Sequence, residues 1–415
     1  MSVRELTSDD RPAYRRLTAQ AFGGGAVEEV PGPFPEGEIP LGVDSTARPC
    51  GQEGVLAAGA RIRRDVIALG GGTTACGGIG GLAVHPAHRG GGLFGELLTG
   101  VLARCGAEGM AFSMLYPSNP AIYRRHGYQV VARTERIVVP LGELQRLRSV
   151  PGRRLVPVTE ATIPRLRRLY TELTAEDNAM LRREPPLFPA GLPSPPWGAV
   201  LLEDEAGADR GYLSFSRIAP GSDGAGLEVH EILGRDRNDL LALLQHLGSW
   251  STVTTAARVR LRAEDPILDV LPGGGLRTTG DIVPLVMMRL VDTARALADR
   301  PAPAGLTGSV RLEVRDRTPS ATACRADGCW DVRAEGGVVH VEQISRDEPM
   351  PPADAHETPQ AWARLDVHAA ALFLTGGRSL VDARRAGLEA EADAAGEAFL
   401  DTLLRGPRPS VLDAF

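Results

Sequence analysis

Two stretches carry the residue types best suited to chemistry. In the first, LAVHPAHRGGGLFGELL, a strand runs to Val84, Pro86 stops it, and Arg89, Gly90, Gly91 and Gly92 lead directly into a helix. Glycines let the backbone approach a ligand closely, and the first N–H groups of a helix lack internal partners. With the helix dipole behind them, these groups suit a diphosphate, and the charge of Arg89 suits its oxygens. The glycines taken alone favour an ordinary strand-to-helix turn. The turn is not a Walker loop, because no Gly-Lys-Ser/Thr follows, and its spacing is wrong for a dinucleotide turn.

The second stretch is LYPSNPAIYRRHGYQV, where Tyr116, Tyr123 and Tyr128 compete as proton donors. His85, His88 and His126 are the histidines of the two stretches. The first two flank the turn and suit solvent or phosphate, and His126 suits packing. A buried tyrosine with its hydroxyl in a satisfied hydrogen bond is the competing role for Tyr123, and packing is the favoured one for Tyr128.

The turn, Arg89-x-x-Gly92-x-Phe94, resembles the acyl-CoA pyrophosphate turn of the GNAT acetyltransferase superfamily, written Arg/Gln-x-x-Gly-x-Gly/Ala, with Phe94 departing at the last position. Ser118, Tyr123, Gly127 and Tyr128 match the pattern Ser-x-x-x-x-Tyr-x-x-x-Gly-Tyr of one branch, the Eis (enhanced intracellular survival) family. The resemblance implies an acetyl-CoA-dependent N-acetyltransferase without a metal. It implies cofactor contacts at Leu82, Ala83, Val84, Arg89, Gly90, Gly91, Gly92, Leu93, Phe94, Gly95, Ser118 and Asn119. Tyr123 becomes the acid that protonates the departing thiolate. It also implies that a C-terminal α-carboxylate enters the active site, here that of Phe415. The acceptor it implies is an aminoglycoside- or polyamine-like cation or a lysine side chain, and the assembly a homohexamer.

An ammonium acceptor has an unperturbed pKa near ~10.4, so the site must help it lose a proton, while strand N–H groups around Val84 can stabilise the developing oxyanion. A carboxylate at ~3.5 is a poor base unless desolvation raises it, so the terminus mainly holds the cation and relays its proton. Asp413 can add to this, and the neutral Ala414 cannot.

The elements that must position these groups read as α/β and α+β. VRELTSDDRPAYRRLTAQAF gives a strand, a cap at Thr7 to Asp9 and a helix with Tyr14, Leu17 and Ala21 on one face. Gly54 to Val84 reads as strands, and Leu93, Leu97, Leu98, Val101 and Leu102 fall at helical spacing before the strand-like MAFSMLYP. Near Pro151 the logic restarts without the glycine turn, and a third part follows. The resemblance gives that order as tandem GNAT domains followed by a sterol-carrier-protein-like domain, with boundaries at 1–150, 151–297 and 298–415. The loop holding Glu28, Glu29, Glu36 and Glu38 can form an acidic wall for a cation or simply be solvated. The closing SVLDAF is apolar and should be buried behind a helix ended by Gly406 and Pro407.

Composition narrows the classes. The net charge of -6 argues against nucleic acid and fits a cationic partner. No lysine occurs, so all 46 basic residues are arginine. No run of about 18 apolar residues suggests a membrane span, and the acidic N-terminal stretch does not read as an export signal, so a cytoplasmic location is expected. Cys50, Cys76, Cys105, Cys324 and Cys329 are too scattered for a disulfide framework, and CRADGC reads as a hairpin turn rather than a zinc site. The competing functional class is a non-catalytic lipid- or CoA-binding scaffold.

Overall fold

The computed structural model describes residues 2–23, 31–45, 56–219, 225–273, 275–346 and 360–413. Glu28, Glu29, Cys50, Ala414 and Phe415 lie outside them. The chain divides into two compact units: residues up to Val131 with Val286–Gly406, and Ala132–Leu285 with Pro407–Asp413.

In the first unit a seven-stranded sheet has the order Arg4–Glu5, Glu38–Asp44, Leu56–Leu69, Gly72–Val84, Phe112–Leu115, Leu285–Leu290 and Gln129–Arg133. Gly72–Val84 pairs with Phe112–Leu115 in parallel, which requires a crossover, and the helix Leu93–Ala107 supplies it. Its buried stripe, from Leu93 through Leu97, Leu98, Val101 and Leu102 to Cys105, packs on Ile39, Leu41, Ala58, Ala60 and Ile62 of the sheet. The glycines of the central strand permit that close packing. A Cβ on Gly77 would stand 2.7 Å from the Cys105 sulfur.

The same unit holds a five-stranded sheet ordered Val338–Ile344, Gly328–Glu335, Gly308–Arg315, Trp362–Asp366 and Ala390–Ala392, joined by the helices Val367–Leu374, Leu380–Arg385 and Ala394–Leu403. The last helix begins only at Ala394, capped by Asp393, because Ala390–Ala392 pairs as a strand with Trp362–Asp366. CRADGC is not a hairpin turn: Arg325 bridges Asp292, and the strand begins at Gly328. Cys76, Cys105, Cys324 and Cys329 are all free thiols.

The second unit repeats the logic of the first sheet. Its seven strands are ordered Arg277–Thr278, Glu135–Pro140, Ala256–Leu261, Gly226–Gly234, Asp209–Ile218, Trp197–Asp204 and Arg153–Pro157. Gly226–Gly234 and Ala256–Leu261 are the parallel pair, crossed over by the helix Arg237–Gly248.

The strands cut across the expected boundaries at 150 and 297. Glu135–Pro140 lies in the second sheet, and Leu285–Leu290 returns to the first. Pro151 and the Pro-rich stretch after Arg300 mark breaks in local pattern, whereas sheet membership is decided by long-range pairing. Among the described residues no helix is long and apolar enough to cross a membrane.

Candidate active site

The parallel strands of the first sheet part early. Their last paired residues are Gly78 and Met114, yet Gly72–Val84 continues six residues further. Over that stretch the strand is paired with Leu56–Leu69 on its other side, with Gly59 opposite Ala83 and Ala58 opposite Val84. Among the described residues the side of Leu82, Ala83 and Val84 that Phe112–Leu115 would cover therefore has no strand partner, and backbone groups there can serve a ligand. A bulge sharpens the parting. Gly81 has φ +58°, a conformation L side chains rarely adopt, and the Tyr14 hydroxyl donates to its carbonyl at 3.0 Å. A Cβ on Gly81 would meet that hydroxyl at 2.1 Å, so the bulge is built for glycine.

The turn follows at once. His85 N–H donates to Ala57, closing the strand, and Pro86–His88 forms a short 3-10 turn. Gly90 and Gly92 have φ +80° and +84°, and a Cβ on Gly90 or Gly92 would meet nothing within 4 Å. Neither glycine is demanded by protein packing, so the turn borders open space. The helical ladder opens with Glu96 N–H donating to the Gly92 carbonyl at 3.2 Å, and no side chain caps the helix. The N–H groups of Leu93, Phe94 and Gly95 thus precede the helical ladder. Arg89 is exposed, bonds only the Val84 carbonyl at 3.4 Å, and has no carboxylate partner among the described residues. Open glycines, N–H groups ahead of the ladder and a guanidinium without a carboxylate partner together suit the oxygens of a diphosphate.

Tyr123 sits on the short helix Pro120–Arg124, whose N-cap is Asn119, with the Asn119 side chain accepting from Ala121 N–H at 3.0 Å. The tyrosine is buried, with ring edges of Phe94 at 5.4 Å and Tyr128 at 5.9 Å between centroids. Phe94, the departure from the superfamily pattern, is therefore turned onto Tyr123 and holds its ring. Burial pushes the Tyr123 hydroxyl above its ordinary range, and the hydrogen bond with Ser118 pulls it partly back. Tyr128 is fully buried with its hydroxyl 2.7 Å from Ser113, a satisfied packing role.

A buried layer holds this loop in place. His126 lies 2.7 Å from the Ser320 hydroxyl, which also meets Thr99 at 2.8 Å. Burial, with Arg289 and Arg125 nearby, pulls the His126 ring below its ordinary range, so it stays neutral near pH 7. Arg289 is wholly buried, donates to the His126 carbonyl at 2.8 Å and pairs with the equally buried Asp316. It also fills the space under Gly127, where a Cβ would stand 2.5 Å from its Nε. Sequence reading missed Arg289, Asp316 and Ser320, since each lies more than 150 residues from Tyr123. An arginine inside the apolar run VPLVMMRLV was the available signal.

Of the expected acidic wall, Glu38 is answered by Arg61 at 3.2 Å, and Glu36 is exposed. Asp413 is not free to hold a cation either, because Arg183 pairs with it at 2.9 Å. His85 and His88 lie beside the turn with their rings tilted 53° to each other and centroids 5.7 Å apart. Among the described residues no cluster of three or more His, Cys, Asp and Glu is gathered for a metal.

The second unit has the same strand-and-helix arrangement but a different turn. The helix Arg237–Gly248 is capped by its own Asp236, whose carboxylate accepts from Asp239 N–H at 3.0 Å. An anion thus already sits where the first unit leaves N–H groups open.

Residues 2–131 match the acetyltransferase (GNAT) domain family. No curated protein sequence matches the chain. Three solved structures are similar over all of it: a GCN5-related N-acetyltransferase from Kribbella flavida, one from Anabaena variabilis, and Eis1 from Mycobacterium abscessus. Their identities are 22%, 17% and 19%, with TM-scores of 0.77, 0.80 and 0.70. The match covers 100% of this chain in each case, and 98%, 100% and 100% of theirs. The fold is thus a tandem GNAT arrangement followed by a C-terminal region, and the domain match makes the protein an acyltransferase.

Proposed function

We propose that this acyltransferase is an acetyl-CoA-dependent N-acetyltransferase of the Eis type. Its acceptor is an amine of a cationic small molecule, aminoglycoside- or polyamine-like, or a lysine side chain, attacked directly in a ternary complex. The observation that carries this reading is the open glycine turn and unpaired strand edge, flanked by a buried, protonated tyrosine.

Acetyl-CoA supplies the thioester that is attacked. In this reading Arg89 and the N–H groups at Gly92 to Gly95 hold its diphosphate, with Ser118 and Asn119 bordering the site. Backbone N–H groups of Leu82 to Val84 orient the acyl arm and stabilise negative charge on the carbonyl oxygen. Tyr123 keeps its proton at neutral pH and gives it to the departing sulfur. The carboxylate that Phe415 carries when it ends the chain holds the ammonium and takes its proton. The net charge of -6 favours a cationic acceptor, and acetyl-CoA makes a cytoplasmic setting the natural one. A homohexamer belongs to the Eis-type reading.

The test is to mix the protein with acetyl-CoA and a panel of polyamines, aminoglycosides and lysine peptides, following acetylated product by mass. Wild-type turnover with at least one amine, and its loss in Tyr123→Phe with acetyl-CoA affinity kept, supports the reading. CoA binding without transfer to any amine supports the scaffold alternative.

A further inference from the structure

The second unit has a parting pair of parallel strands like that of the first, and its surroundings are filled in a specific way. The last paired residues are Val229 and Val259. Beyond Val259, Arg260 donates to the Leu412 carbonyl at 2.5 Å and Ala263 N–H donates to the Ser410 hydroxyl at 2.8 Å. Beyond Val229, Glu231 reaches the same segment through Arg183, which pairs with both Glu231 and Asp413. Further bonds come from Thr134, whose hydroxyl donates to the Val411 carbonyl at 3.2 Å, and from Asn178, which accepts from Ser410 N–H at 2.9 Å and donates to Pro407 at 2.7 Å. Ser410, Val411 and Leu412 are all buried.

Arg183 is the hub. Its guanidinium lies 4.0 Å over the Tyr170 ring and forks to the Glu231 carboxylate, which also accepts from the Tyr212 hydroxyl at 2.5 Å. Burial works to raise the Glu231 carboxyl, but Arg183 and the Tyr212 hydrogen bond outweigh it and keep it ionised. The arginine is thus preorganised before Asp413 arrives, so the segment loses little entropy in docking on it.

We propose that the second GNAT-like domain is a dock for residues 410–413 of its own chain, and that Arg183 is the positioning residue that locks them. Asp236 occupies the helix start and residues 410–413 occupy the parting strands, so both features assigned to the cofactor in the proposed reading of the first unit are here taken by protein groups. The functional consequence rests on the proposed role of Phe415. Phe415 follows Asp413 by two residues in the sequence and lies outside the described residues, so in that reading the lock on Asp413 restrains the chain that leads to the carboxylate.

Hydrogen exchange of the full-length protein, read by mass on peptides covering 407–415, tests the dock without reference to catalysis. Arg183→Met and Asp413→Asn should each speed exchange of the Ser410 amide, which donates to the Asn178 carbonyl, at least tenfold (about 1.4 kcal/mol). Arg183→Lys, which keeps the charge but not the fork, should fall between. Asp413→Asn leaves the Arg183–Glu231 pair intact, so it decides the matter if Arg183→Met fails to fold. Unchanged protection in Asp413→Asn overturns the dock. Where protection is lost, kcat for the amine should fall with acetyl-CoA affinity unchanged, and unchanged kcat overturns the positioning role. Deleting residues 414–415 separates the two claims: full activity there, with the Ser410 amide still protected, removes Phe415 from the reaction and leaves the dock standing.

Discussion

Replacing Asp316 by Asn examines the layer beneath the Tyr123 loop. Both partners of the Arg289–Asp316 pair are fully buried. One Asp316 oxygen accepts from the Thr318 backbone at 3.0 Å and its hydroxyl at 2.7 Å, while the other faces Arg289. An asparagine can keep its oxygen on Thr318 only by turning its NH2 onto the guanidinium, donor against donor. It can satisfy Arg289 only by abandoning Thr318. Removing one charge of a buried pair costs roughly 3–5 kcal/mol. At roughly 2–4 °C per kcal/mol for a unit of this size, the melting temperature should drop by about 6–20 °C. Because Arg289 also holds the His126 carbonyl and fills the space under Gly127, amine turnover should fall as well. Scanning calorimetry and the acetyl-transfer assay read the two effects. The double change Arg289→Met with Asp316→Leu should recover much of the stability, as apolar replacements of buried pairs do, but not the turnover. A destabilisation below about 1 kcal/mol in Asp316→Asn would refute the argument that this pair carries the loop.

Other changes follow from the same structure. Gly92→Val places a branched side chain at φ +84° in open space, so about 1–2 kcal/mol of strain should appear in urea unfolding, with weaker acetyl-CoA binding by calorimetry. Tyr14→Phe removes the donor to Gly81 and should cost about 1 kcal/mol, measured the same way. Burial pulls His126, His230 and His246 below the ordinary imidazole range. The unfolded chain then binds protons that the folded one does not, so stability should fall as pH drops from about 6.5. Burial raises Tyr14, Tyr123, Tyr128, Tyr170 and Tyr212, so stability present below pH about 10 should be lost as pH rises beyond it. Melting curves across pH check both limbs, and a flat profile would contradict the assignment.

What was legible in the sequence was local. The turn shows as Arg89-x-x-Gly92 after a strand, because an open glycine turn has a signature within six residues. The helix Leu93–Ala107 shows in its apolar period, and Tyr123 stands in a motif of eleven residues. What was not legible depends on distant pairing. Nothing near Leu285–Leu290 says that it joins the first sheet, or that its Arg289 braces a loop 163 residues earlier. The bulge at Gly81 is set by Tyr14 from another element, so GGIGGLAV alone reads as an unbroken strand. Phe94 looked like a departure from a pattern of small residues; the ring it packs on gives it a purpose.

The central claim is tested most directly by single-turnover transfer from acetyl-CoA to a polyamine in wild type and Tyr123→Phe, with acetyl-CoA affinity measured in parallel. The account predicts a rate lowered on the order of 10²-fold or more at unchanged affinity, the range expected for a lost general acid. Equal rates in the two proteins would contradict it.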